Sequence, residues 1–147
     1  MTHGLCTRVV SGDDLVVVVA PSHPWARRRR TLSAADLAAT PLVLREAGSG
    51  TREVLERALS ASGLEPTPLV ELASTTAIKA SVEAGTGPGV LSRLAVEQEV
   101  TDGRLVIVAT SGVPLERQIR AIWPSERSLP PAAARLLRQI TGGAAGT

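Results

Sequence analysis

The chain has 147 residues, 44% of them apolar but none of them Phe or Tyr, and sixteen basic against fourteen acidic side chains leave a formal net charge of +2. That is enough chain for one domain's core, and with Trp25 and Trp123 as the only aromatics it offers no stacking platform for single-stranded nucleic acid. A lone Cys6 excludes a disulfide framework, His3 and His23 are too isolated to suggest zinc, and no apolar run is long enough for a membrane span or a secretory signal.

Residues 1–14 are polar and weakly patterned, and are expected to be irregular. The aliphatic run 15–20, closed by Pro21, reads as a strand buried on both faces. A loop through His23-Pro24-Trp25 follows, then four consecutive arginines at 27–30. Such a run can contact phosphates or an acidic partner, but without a nucleic-acid-binding module or a wider basic face it reads as a solvated loop. Ser33 with Asp36 three residues on predicts a capped helix running to about Ala39.

Residues 41–45 form a second strand and 48–50 a turn. The helix expected over 51–62 has an apolar stripe of Val54, Leu55, Ala58 and Leu59, and Gly63 stops it. A third strand at 69–72 leads to a helix over 77–84, capped by Ser74 or Thr75 and ended by Gly85. A short strand at 89–92, a helix from 94 to the Asp102-Gly103 turn, and a strand at 105–108 come next. Residues 117–123 alternate as a more exposed strand does. Pro130-Pro131 opens a last helix whose core face is Ala134, Leu137 and Ile140 with Leu136 close by, and 142–147 is an expected disordered tail.

Strands alternating with helices predict an α/β domain on a largely parallel sheet. In such sheets ligands sit beyond the carboxyl ends of the strands, where the next helices begin. Two hydroxyl-rich runs fall at such junctions, Gly48-Ser49-Gly50-Thr51-Arg52 and Ser74-Thr75-Thr76. First-turn amides and the partial positive charge of a helix start suit a small anion or polar molecule there. Simple capping is the alternative role for each hydroxyl. Arg45 and Arg52 lie close by, and Arg52 also has Glu56 one turn on.

Catalytic patterns fail one by one. Glu46-Ala47-Gly48-Ser49-Gly50 is not a G-x-S-x-G elbow. The sole lysine, Lys79, sits in a helix without a phosphate-binding loop, and the glycines at 85, 87 and 89 end a helix rather than begin one. Glu46, Glu53, Glu71 and Glu83 are scattered, with no pair on an obvious shared face. No catalytic, metal or cofactor site is expected, and a binding module is what remains.

The residues then match a family. Residues 14–26 (Asp-Leu-Val-Val-Val-Val-Ala-Pro-Ser-His-Pro-Trp-Ala), 32–37, 41–46, the run 48–52, Ser74-Thr75-Thr76-Ala77-Ile78-Lys79, 82–85, 90–92, Asp102-Gly103-Arg104-Leu105 and the helix start at 129–133 follow one another in a familiar order. In order and spacing they resemble the effector-binding domain of LysR-type transcriptional regulators, across about residues 13–141. Pro88 departs from the small or aliphatic residue usual between those glycines.

The resemblance implies a periplasmic-binding-protein-like fold, two α/β subdomains joined by crossing strands. The effector-binding domain would span 15–141, with the second subdomain at about 20–112 and a return to the first at 113–141. Most of the first subdomain and the helix-turn-helix domain would be missing, so the chain looks truncated at its N-terminus. Carried over residue by residue, Ser49, Gly50, Thr51, Ser74 and Thr75 line the effector cleft, while His23-Pro24 shapes a loop. The implied function is sensing of a small anionic metabolite in the cytoplasm. Binding would modulate DNA binding by the helix-turn-helix module absent from this chain, with no membrane partner and with homo-oligomers formed by the intact protein. A fragment of a solute-binding protein for uptake is the alternative; it would need a signal peptide or an apolar run before Cys6. A standalone enzyme ranks third.

Overall fold

The computed structural model of the chain describes residues 4–142. In chain order the elements are β1 (Leu5–Val19), α1 (Ala34–Ala39), β2 (Leu42–Arg45), α2 (Gly50–Ser60), β3 (Pro68–Leu72) and α3 (Thr75–Glu83). These are followed by β4 (Gly89–Ser92), α4 (Arg93–Thr101), β5 (Val106–Val108), β6 (Glu116–Pro124) and α5 (Pro131–Gly142). His3 and residues 143–147, most of the expected tail, lie outside the described residues. The chain divides into a larger unit, 14–116, and a smaller one built from residues on either side of it, through 13 and from 117.

In the larger unit the strand order is β3-β2-β4-β1-β5. β2 is parallel to both β3 and β4, whereas β1 is antiparallel to both β4 and β5. The sheet is therefore mixed: β3, β2, β4 and β5 share one direction and β1 runs against them. The expectation of a largely parallel sheet is corrected at this strand. β1 enters the unit from the other side of the domain boundary, so it needs no crossover helix to return it to the common direction.

Side chains of β1 alternate between two apolar layers. Leu15, Val17 and Val19 join Leu37, Val54, Leu55 and Leu59 from α1 and α2, while Val16 and Val18 join Ile78, Val82 and Val96 from α3 and α4. β2 and β4 split the same way, with Leu44 and Val90 on the first side and Val43 and Leu91 on the second. Helices thus cover both sheet faces, which is why 15–19 reads as an unbroken aliphatic run rather than an alternating one. Each such side chain, fully buried, favours the fold by about 1.5–3 kcal/mol over exposure.

Local signals set the helix ends. Ser33 and Asp36 form the expected capping box, with Ser33 Oγ accepting from the Asp36 amide and Asp36 Oδ2 accepting from the Ser33 amide at 2.9 Å. Those Ser33 hydrogen bonds, and then Arg28, hold the Asp36 carboxyl down at about 2. His23-Pro24 opens a single 3-10 turn, and His23 Nδ1 accepts from the Trp25 amide. α2 and α3 begin one and two residues earlier than the hydroxyl patterns predict.

Two further expectations are corrected in the smaller unit. Residues 5–13 are strand rather than irregular, because pairing with β6 satisfies the backbone while most of these side chains face solvent and leave no hydrophobic pattern to read. In α5 only Leu137 is buried; Leu136 and Ile140 are 58% and 44% exposed.

At Gly89 the sheet and α3 come too close for a side chain: a Cβ there would lie 2.8 Å from Val82 Cγ2 and 3.3 Å from Ile78 Cγ2. Gly89→Ala is expected to lower unfolding stability by about 1–3 kcal/mol through overpacking. Gly12→Ala, whose Cβ meets nothing within 4 Å, is expected to change it by less than about 0.5 kcal/mol. Urea unfolding of both variants checks the pair.

Candidate functional site

β2 and β3 are neighbouring parallel strands, with Arg45 opposite Leu72 at their carboxyl ends. Each strand leads through a short turn into a helix, α2 after β2 and α3 after β3. The two hydroxyl-rich runs are therefore brought to one edge of the sheet. In α2 the first helical bond runs from the Glu53 amide to the Ser49 carbonyl, leaving the Gly50 and Arg52 amides outside the ladder. In α3 it runs from Ile78 to Ser74, with Thr75 and Thr76 outside. Gly48, at φ +85°, makes the tight turn that delivers the chain into α2.

The hydroxyls divide by role. Ser74 Oγ accepts from the Ala77 amide at 3.3 Å, so capping describes it well. Ser49 is the N-cap residue of α2 yet makes no side-chain cap bond. Thr75 Oγ1 accepts from Arg45 Nη1 at 3.2 Å, so one guanidinium ties the end of β2 to the start of α3. Thr51 is half-buried in the first turn of α2, and Gly50 is exposed at its start.

Two arginines brace this edge. Arg45 donates to both carboxylate oxygens of Glu46, Nε to Oε2 at 2.8 Å and Nη2 to Oε1 at 2.9 Å. That pairing raises the Arg45 pKa against the cost of desolvation and lowers that of Glu46. Arg52, its side chain only 12% exposed, lies 2.6 Å from Glu56 and 2.7 Å from Glu71, and it also donates to the Arg45 carbonyl at 3.3 Å. Hydrogen bonds to Glu71, then Glu56, raise its pKa. The Glu56 pairing is the expected one. Glu71 joins Glu56 at Arg52; neither that nor the Arg45–Thr75 link shows in sequence, because both need the β2–β3 pairing.

A 460 Å³ concavity lies along α2, lined by Arg52, Glu56, Arg57, Ser60, Glu65 and Pro66; it touches none of the five predicted residues. Among the described residues no three His, Cys, Asp or Glu side chains are grouped to hold a metal ion, and no helix is long and apolar enough to cross a membrane.

Hydroxyls, helix starts and a guanidinium thus gather at the carboxyl edge of the sheet of an α/β domain, the edge where such sheets place their ligands. The LysR substrate binding domain model matches residues 1–145, and the chain belongs to that family. It is 47% identical over 143 residues to an uncharacterized HTH-type transcriptional regulator of Mycobacterium tuberculosis, covering 94% of this chain and 46% of that protein. To the HTH-type transcriptional regulator CbbR of Xanthobacter flavus it is 40% identical over 133 residues, covering 89% and 40%. The chain thus spans under half the length of these curated relatives.

Among solved structures, the Synechocystis CcmR regulatory domain in complex with 2-PG superposes with a TM-score of 0.86 at 22% identity, covering all of this chain and 71% of that one. The effector binding domain of QuiR in complex with shikimate gives 0.79 at 16% identity, covering 95% and 65%. The fold is that of LysR effector-binding domains, periplasmic-binding-protein-like.

Arg52→Gln is expected to cost about 1.5–3 kcal/mol in urea unfolding, the scale of hydrogen bonds to charged groups. Glu56→Gln, which leaves the Glu71 and carbonyl links in place, is expected to cost only about 0.2–0.5 kcal/mol. Equal costs would show that the cross-tie to β3 contributes nothing beyond a helix-surface pair.

Proposed function

We propose that this chain is the ligand-sensing part of a LysR-type regulator, and that the edge carrying Ser49, Gly50, Thr51, Ser74 and Thr75 binds a small anionic metabolite. The observation that carries the reading is the Arg45 guanidinium: at the end of β2 it is bonded to Thr75 in the first turn of α3 and charge-balanced by the adjacent Glu46. A carboxylate or phosphate of a ligand can take amide hydrogen bonds from the helix starts while the arginine, its charge offset in part by Glu46, adds a charge-assisted donor. Glu46, its side chain 41% exposed, is then an internal counter-ion that holds Arg45 in place while the site is empty.

In this reading, ligand affinity that differs between two arrangements of the intact regulator shifts DNA binding by a helix-turn-helix module outside residues 1–147. A coupling of about 1–3 kcal/mol suffices. Relatives named as HTH-type transcriptional regulators support regulation over solute uptake or catalysis. Homo-oligomers of the intact regulator and a cytoplasmic location belong to the same reading.

Calorimetric titration of the chain with phosphate and a panel of small organic acids tests it. For an acid that binds, Thr51→Ala combined with Ser74→Ala is expected to weaken affinity roughly tenfold to a hundredfold, about two hydrogen bonds' worth. Glu46→Gln is expected to tighten it. Unchanged affinity in the double variant would place the ligand elsewhere.

A further inference from the structure

The arginine run at 27–30 is not used by the site just described, and its four members are not equivalent. Arg28 is half-buried and committed, its Nη2 lying 3.1 Å from each oxygen of Asp36. Arg27, Arg29 and Arg30 are exposed and, among the described residues, make no ion pair or side-chain hydrogen bond. Asp36 is the only acidic residue between 15 and 45, and Arg28 already balances it.

The loop is nevertheless held at both ends. Trp25 and Ala26 pack against the first apolar layer, and Leu32 is fully buried. The Leu32 amide donates to the Ala109 carbonyl and the Ser111 amide to the Leu32 carbonyl, both at 2.9 Å. The fold therefore presents three like charges within four residues on an anchored loop, none of them in an ion pair among the described residues. Beside them a 280 Å³ concavity is lined by Arg30, Thr31, Ser33, Asp36 and Ser111.

We infer that Arg27, Arg29 and Arg30 form a contact surface for the phosphodiester backbone of duplex nucleic acid. Guanidinium forks match phosphate oxygens in charge and geometry. Backbone contacts position a protein without reading sequence, so no recognition module is needed beside them. The nearby aromatic, Trp25, is packed against the core rather than displayed, which removes the stacking that single strands require. A protein partner is disfavoured because none of the large exposed apolar side chains belongs to residues 20–41, and protein interfaces concentrate their affinity on buried apolar and aromatic anchors.

Fluorescence anisotropy of the whole chain with a labelled 24-base-pair duplex of mixed sequence, between 50 and 200 mM salt, tests this. The charge-matched comparison is Arg27→Gln/Arg29→Gln/Arg30→Gln against Arg57→Gln/Arg135→Gln/Arg138→Gln, all at exposed positions. Each phosphate contact contributes about 0.9 to the slope of log affinity on log salt, so the loop variant is expected to lose about 2.7 of slope while the comparison variant loses less than about 1. Equal losses in the two variants, or no salt-dependent binding by the parent chain, would overturn the inference. Tighter binding of polyglutamate than of the duplex at matched charge and salt would overturn it too, and would point to an acidic polypeptide instead.

Discussion

Residues 15–19 of β1 have no solvent-facing side: each is at most 5% exposed, and successive side chains enter opposite apolar layers. Most of the larger unit follows from that double burial. Two faces have to be covered, so α1 and α2 pack on one and α3 and α4 on the other. The neighbours β4 and β5 must pair with β1 along its buried length, since an unpaired amide in that interior would carry the full desolvation cost. β2 and β3 then extend the sheet beyond β4, with their carboxyl ends at one edge.

That edge becomes polar because the apolar layers end there. Side chains of β2 are buried from Leu42 to Leu44, and the next residue, Arg45, turns to Glu46 and Thr75 instead. Arg52 reaches back from α2 to the Arg45 carbonyl and to Glu71 of β3. The two arginines tie both helix starts to both strands, so the amides of those helix starts are held in fixed positions. For the anion site proposed above, donors tied down in this way would leave little ordering to be done when the ligand arrives.

What could be read from sequence and what could not divides along a physical line. Local determinants were legible: the Ser33–Asp36 capping box, the α2 stripe of Val54, Leu55, Ala58 and Leu59, and Gly63 and Gly103 in the left-handed region just past helix ends. The aliphatic run of β1 announced a strand buried on both faces, but not its direction, because antiparallel pairing depends on where the chain enters the sheet. Residues 5–13 hid their strand because they bury so little. In α5 the apolar stripe is present, yet Leu136 and Ile140 stay exposed in the described residues, so amphipathicity alone did not decide burial. At the candidate site the sequence pointed to both junctions, and the resemblance joined them in one cleft. Arg45 to Thr75 spans thirty residues and Arg52 to Glu71 nineteen, so their pairing is a product of β2–β3 register and invisible to spacing.

The central claim is that the two helix starts at the carboxyl ends of β2 and β3 form one anion-binding edge. Amide chemical shifts of the isotopically labelled chain, followed during titration with the small acid that binds most tightly, test it most directly. The account predicts that the largest changes fall together on the amides of Gly50, Thr51, Thr75 and Thr76 and saturate with a single affinity. Shifts centred on Ser60 and Glu65 in the concavity along α2, with the junction amides unmoved, would contradict it.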